Sequence, residues 1–159
     1  AGLSDAGLVH KVTVIQRALV QNQPNRKDPL DALSKVGGLD IAAMTGFYLG
    51  AAARNRPVLL DGAISCAAAL LAGRLCPMLA SHRPAEPCGQ LLLQELGLEP
   101  VLDAGLHLGE GTGAVAAMPL LDMALSVYQN MSTFDHMGIE AYQPDGRAVS
   151  GPARAGVTP

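Results

Sequence analysis

Apolar residues Leu8, Val12, Ile15 and Leu19 recur at helical spacing behind a candidate cap at Ser4 or Asp5, and the run stops at the Gln21 to Pro24 turn. Asp28 followed by Pro29 is an N-cap and first-turn proline, and Gly37-Gly38 closes the short helix they open. A third helix, from Asp40 to about Ala53, is apolar nearly all round, the pattern of a helix packed on both sides. The period then changes. Pro57 to Asp61 reads as a short buried strand, Ala63 to Leu75 as an Ala-rich helix, and Met78 to His82 as a second strand. A helix from about Pro87 stops at Gly97, Val101 to Leu108 gives a third strand, and Thr112 to Met131 a long helix with Pro119 as a candidate bend. Strand alternating with helix builds a parallel sheet covered by helices, so the expected class is α/β and Rossmann-like. Three strands are few for such a sheet, which reads as incomplete. Residues 135–159, rich in Gly, Pro and Ala, read as an extended or disordered tail.

Composition narrows the picture. Of the 159 residues, 49% are hydrophobic and 16% charged, enough apolar content for a core. Aromatic residues make up only 3%, and there is no Trp, so Ala, Leu, Val and Met must fill the interior through many close contacts. A net charge of −3 with no basic cluster argues against nucleic acid or an anionic membrane as partner. The longest uncharged apolar runs, closed by Arg54 and Arg74, fall short of the roughly 18 residues that span a bilayer. Cys66, Cys76 and Cys88 are an odd number without C-x-x-C spacing, which suits reduced thiols and a cytoplasmic address. His10, His107 and His136 share no ligand spacing, so no metal is expected, and no cofactor.

In open parallel sheets ligands bind beyond the carboxyl ends of the strands. Three polar clusters fall there: Asp61-Gly62, Ser81-His82-Arg83 and Gly109-Glu110-Gly111-Thr112-Gly113. In the third, glycines flank a carboxylate at a strand-to-helix turn and let a ligand approach the backbone, whose amides face any anion. Gly109, Gly111 and Ala114 also fit the G-x-G-x-x-G/A dinucleotide pattern, but no strand with an acidic end follows about 20 residues later, so the context fails. Taken alone, Glu110 is equally an ordinary solvated turn residue. Asp61 suits either a ribose hydroxyl or the cap of the next helix. His82 and Arg83 suit an anion or a structural strand end. Lys11 borders the apolar stripe of the first helix, free to snorkel to water or to reach an anion.

The strings from Val36 to Gly46, Val58 to Gly62, Ser81-His82-Arg83, Ala85-Glu86-Pro87 and Leu108 to Ala114 together resemble the nicotinate-nucleotide–dimethylbenzimidazole phosphoribosyltransferase family, over nearly all of Gly2 to Phe134. That resemblance implies transfer of phosphoribosyl from nicotinate mononucleotide to 5,6-dimethylbenzimidazole, giving nicotinate and α-ribazole 5′-phosphate for the cobalamin lower ligand. It implies that Glu110 is the general base, its carboxyl partly shielded from water and so raised toward neutrality. It also implies that Leu108 touches the flat base, that Lys11 lies near the nucleotide phosphate, and that Gly109, Gly111, Thr112, Gly113 and Asp61 contribute to substrate binding. A homodimer is implied as well.

The chain departs from the family pattern at two places. Pro84 stands where the family has a serine and Gly89 where it has a histidine, so no catalytic role is assigned to them. Family members are longer, and their upstream half carries another Gly-rich, Glu-containing loop, part of the benzimidazole pocket and a small helical subdomain. Residues 1–134 therefore correspond to the C-terminal part of the enzyme's α/β domain, expected to be inactive and poorly soluble alone. Two other readings are the same fold acting on a different acceptor base and a non-catalytic nucleotide-binding module.

Overall fold

Local signals at chain ends and turns account for most helix boundaries in the computed structural model, which describes residues 3–73 and 75–139. Helix α1 (Asp5–Asn22) is capped by Ser4, whose Oγ accepts from the Gly7 amide. Asp28 caps α2 (Pro29–Val36) through the amides of Leu30 and Asp31, and Pro29 takes the first turn, where no N–H is needed. After α3 (Leu39–Ala53) come β1 (Val58–Leu60), α4 (Ala63–Leu71), β2 (Met78–His82), α5 (Pro87–Leu96), β3 (Pro100–Leu102), α6 (Thr112–Asn130) and a single turn, α7 (Phe134–Met137). The chain divides into two compact units, Ala1–Asp122 and Met123–Pro159. The first holds the sheet; the second holds the last part of α6 and α7.

The three strands form one sheet in the order β1-β2-β3, all parallel, as the alternation of elements predicts. Val58 and Leu60 pair with Met78 and Ala80, and these four side chains are buried on one face with Cys66, Ala68 and Ala69 of α4 and Leu93 and Leu96 of α5. Tyr48 of α3 joins this core, its hydroxyl donating to the Ser65 carbonyl. Because the α4 residues that face the core, Cys66, Ala68 and Ala69, are small, it can lie close to the sheet between α3 and α5. On the opposite face, Leu59 is half-buried while Leu79 and Val101 are exposed.

Several expectations are corrected. Apolar all round, α3 is packed on one side only among the described residues: Leu39 is 91% and Phe47 67% exposed. The stripe Leu8, Val12, Ile15 and Leu19 is helical but exposed, since α1 meets little besides α2. Helix α4 stops at Leu71 rather than Leu75 because Gly73 turns left-handed at φ 69°. Strand β3 spans three residues, not Val101 to Leu108: its partner β2 ends at His82, which pairs with Leu102, and beyond that the chain has no ladder to follow. The tail reading of 135–159 begins within α7, and residues 140–159 lie outside the described residues. Among the described residues no helix is long and apolar enough to cross a membrane, and no group of His, Cys, Asp or Glu is arranged to hold a metal.

Candidate active site

Beyond the carboxyl ends of the strands lies a cavity of about 400 Å³. Each strand delivers part of its wall: Asp61 and Gly62 after β1, His82 at the end of β2, and His107 to Gly111 on the loop after β3. The first turn of α4, from Ala63 to Ser65, closes one side, with Asp40 and Met44 of α3 and Glu86 completing the lining. Four carboxylates, Asp40, Asp61, Glu86 and Glu110, line it, and among the described residues no Lys or Arg does. A somewhat larger depression of about 470 Å³, between α5 and β3, is lined by Arg83, Gln90, Gln94 and Glu99 and contains none of the expected site residues apart from Arg83, the last of the second cluster. There Arg83 Nε donates to Asp103 Oδ2 at 2.9 Å, an exposed ion pair.

Glu110 occupies an unusual piece of backbone. Gly109, Glu110 and Gly111 have φ of 76°, 56° and 80°, three successive residues in the left-handed region. For the glycines this costs nothing special; for Glu110 it costs about 1–2 kcal/mol, because its Cβ crowds the following carbonyl. Such strain is retained where surrounding structure over-determines it, and it clusters at functional sites. The turn presents the Glu110 side chain at the rim of the cavity, exposed, so the shielding expected of a general base is not supplied by the described residues. Leu108 beside it is 72% exposed, an apolar surface standing open at the same rim.

Both carboxylate oxygens of Asp61 are engaged by a different element. Its Oδ2 accepts from the Gly111 amide at 3.1 Å and its Oδ1 from the Ala114 amide at 3.0 Å. It is indeed a helix cap, but of α6 rather than of α4, the next helix in sequence. The Gly111 amide, expected to face an anion, is thereby already taken. The Asp61 amide donates to Ser65 Oγ, which itself donates to the Gly62 carbonyl, so the start of α4 is closed by its own serine.

His82 is 3% exposed, and its Nδ1 lies 2.9 Å from Ser81 Oγ, which also reaches the Asp61 carbonyl at 3.3 Å. Gly113 packs directly on this imidazole: a Cβ there would overlap Nδ1, Cε1 and Cγ of the ring. Gly113 and Thr112 therefore stand just inside α6 next to the cavity without lining it, while Asp61, Leu108, Gly109, Glu110 and Gly111 share it. Lys11 is not brought there; it is exposed on α1. Sequence reasoning passed over Asp40, Met44, Glu86 and His107. His107 shares no ligand spacing with the other histidines, and its position one residue before Leu108 is the signal that points to it. The departures at Pro84 and Gly89 prove to be neighbours, since the Pro84 ring occupies the space that a Gly89 side chain would fill.

Residues 1–139 match a family model described as Phosphoribosyltransferase. A curated relative from Acetivibrio thermocellus, named nicotinate-nucleotide–dimethylbenzimidazole phosphoribosyltransferase, is 46% identical over 149 residues, 91% of this chain and 42% of that protein. One of the same name from Chloroflexus aggregans is 50% identical over 143 residues, covering 87% of this chain and 40% of the relative. The crystal structure of CobT from Thermus thermophilus superposes with a TM-score of 0.77 at 40% identity, over 87% of this chain and 43% of that one. The chain thus spans about two fifths of the length of the curated relatives it matches.

Proposed function

Since this chain belongs to the phosphoribosyltransferase family, we propose that the intact protein transfers the phosphoribosyl group of nicotinate mononucleotide to 5,6-dimethylbenzimidazole in synthesis of the cobalamin lower ligand. One ring nitrogen of the benzimidazole attacks the anomeric carbon from the side opposite the nicotinate. The bond from that carbon to nicotinate breaks, and its electron pair neutralises the pyridinium nitrogen. The proton on the second benzimidazole nitrogen passes to the Glu110 carboxylate. A neutral azole is a poor nucleophile until that proton has an acceptor, and a placed carboxylate contributes typically 10²–10⁴-fold.

The observation that carries this reading is the strained, left-handed Gly109-Glu110-Gly111 turn at the mouth of a carboxylate-lined cavity. A quaternary pyridinium, and a sugar carbon that turns cationic as nicotinate departs, both suit walls bearing Asp40, Glu86 and Glu110, beside an Asp61 whose carboxylate oxygens are taken by α6. In this reading Leu108 lies against the flat acceptor, and Gly109, Gly111, Thr112 and Gly113 allow close approach of the sugar. The phosphate is held away from this cavity, where Lys11 is one available cation. Residues 1–134 act as the C-terminal part of an α/β domain, in a cytoplasmic homodimer.

The test is to incubate the full-length protein with nicotinate mononucleotide and dimethylbenzimidazole and to follow α-ribazole phosphate. We expect Glu110→Gln to lower turnover by about 10²-fold or more. Retention of most of the turnover removes Glu110 from the role of base, and competition with other azoles or a phenol identifies the acceptor.

A further inference from the structure

Helix α6 begins without a cap of its own. Gly111, the residue before it, has no side chain, yet the amides of Gly111 and Ala114 are both satisfied by one carboxylate from 50 and 53 residues away. In a local capping box two side chains share this work: the cap residue takes the third helical amide, and the third residue takes the amide of the cap. Asp61 takes both. We infer that Asp61 is a positioning residue, whose two-oxygen grip on the first turn of α6 fixes the loop that carries Glu110 over the cavity.

Three observations support this. The loop needs a restraint, because glycines on both sides of Glu110 give it more freedom to lose on ordering than any other residues would. The carboxylate stands where the positive end of the helix dipole favours it. Its own backbone is immobilised from two elements, by Ser65 Oγ at the Asp61 amide and by Ser81 Oγ at the Asp61 carbonyl. The grip therefore connects the end of β1, the start of α4 and the end of β2 to the loop after β3. This inference rests on the reading of Glu110 as the base. A misplacement of a catalytic group by about 1 Å can cost about 10²-fold in rate, which sets the size of the effect.

The experiment uses the full-length protein. Amide hydrogen exchange of the wild type is expected to show slow exchange at Gly111 and Ala114, and exchange about tenfold faster or more at both in Asp61→Asn. In steady-state assays Asp61→Asn is expected to lower kcat by about 10–100-fold, with KM for either substrate moving by less than about threefold. The acidic limb of the pH–kcat profile should persist, because the base is still present. Wild-type kcat in Asp61→Asn overturns the proposal. So does a raised KM at unchanged kcat, which would make Asp61 a substrate ligand, and so does loss of the acidic limb, which would make Asp61 the base. If the variant does not fold, the wild-type exchange decides: fast exchange at Gly111 and Ala114 overturns the grip, and slow exchange supports it. Retained turnover in Glu110→Gln would refute the functional reading instead, with the amide protection unchanged.

Discussion

Gly113→Ala tests the packing between the sheet and the start of α6. In most helices this change is favourable by about 1 kcal/mol, since alanine loses less backbone entropy than glycine. Here the new Cβ would overlap the imidazole of His82, and the ring has little room to withdraw, because it is 3% exposed and its Nδ1 is bound to a fully buried Ser81. Forcing a methyl group into a filled core costs about 1–3 kcal/mol. If the ring swings out, its buried partner loses a hydrogen bond at a further cost of about 1–3 kcal/mol. The propensity gain offsets only part of this, so we expect a net loss of about 3 kcal/mol, read as a lower urea midpoint at unchanged m-value. The matched control is Gly46→Ala within α3, where a Cβ meets nothing within 4 Å and the same substitution is expected to stabilise. A Gly113→Ala protein as stable as the wild type would refute the reasoning, because it would mean that His82 is not held where the structure places it.

Three further outcomes are expected. Ser81→Ala removes the hydroxyl that joins His82 Nδ1 to the Asp61 carbonyl and should cost about 1–3 kcal/mol in the same urea titration, with little change in the size of the core. The Cys66 thiol is pushed up from its usual 9.0 to about 11 by burial, against a lowering hydrogen bond from Ser65 and with a small contribution from the Asp61 charge. The folded state therefore keeps a proton that the unfolded state has released between those values. This stability is fully present below pH 9, is lost progressively as pH rises from about 9 to about 11, and amounts to some 2–3 kcal/mol. Cys66→Ala should flatten that alkaline decline, and peptide mapping after brief alkylation at pH 8 should find the exposed Cys88 modified ahead of the buried Cys66.

What the sequence disclosed and what it concealed divide along the range of the interactions. Ser4, Asp28-Pro29 and Gly97 act on residues two to four positions away, so the ends of α1, α2 and α5 are legible to within a residue. The end of β3 depends on where β2 stops, which lies 20 residues upstream, so a run of apolar residues overstated it. For α3 the apolar pattern implies packing on both sides, whereas among the described residues only Thr45 and Tyr48 are buried and Leu39, Phe47 and Leu49 are exposed. At the site, the position of the polar clusters beyond the strand ends was a consequence of parallel topology, and the cavity lies there. The role of Asp61 was not legible, because an acidic residue after a strand caps its own helix as readily as another, and only the folded backbone brings Gly111 and Ala114 to it. The adjacency of Pro84 and Gly89 was concealed in the same way: each alone is a departure, while together they are one exchange of volume.

The left-handed turn at Gly109-Glu110-Gly111 has a consequence for how this position can change over time. Glycine or asparagine would adopt that backbone at lower cost than glutamate, so selection for folding alone pulls residue 110 away from an acid. Selection for proton transfer pulls the other way, and the flanking glycines, whose conformation carries no side chain to strain, leave the whole conflict on a single residue. Under the function proposed above, a descendant freed from that chemistry would gain stability by replacing Glu110, which makes position 110 a sensitive record of whether the proposed chemistry is still in use.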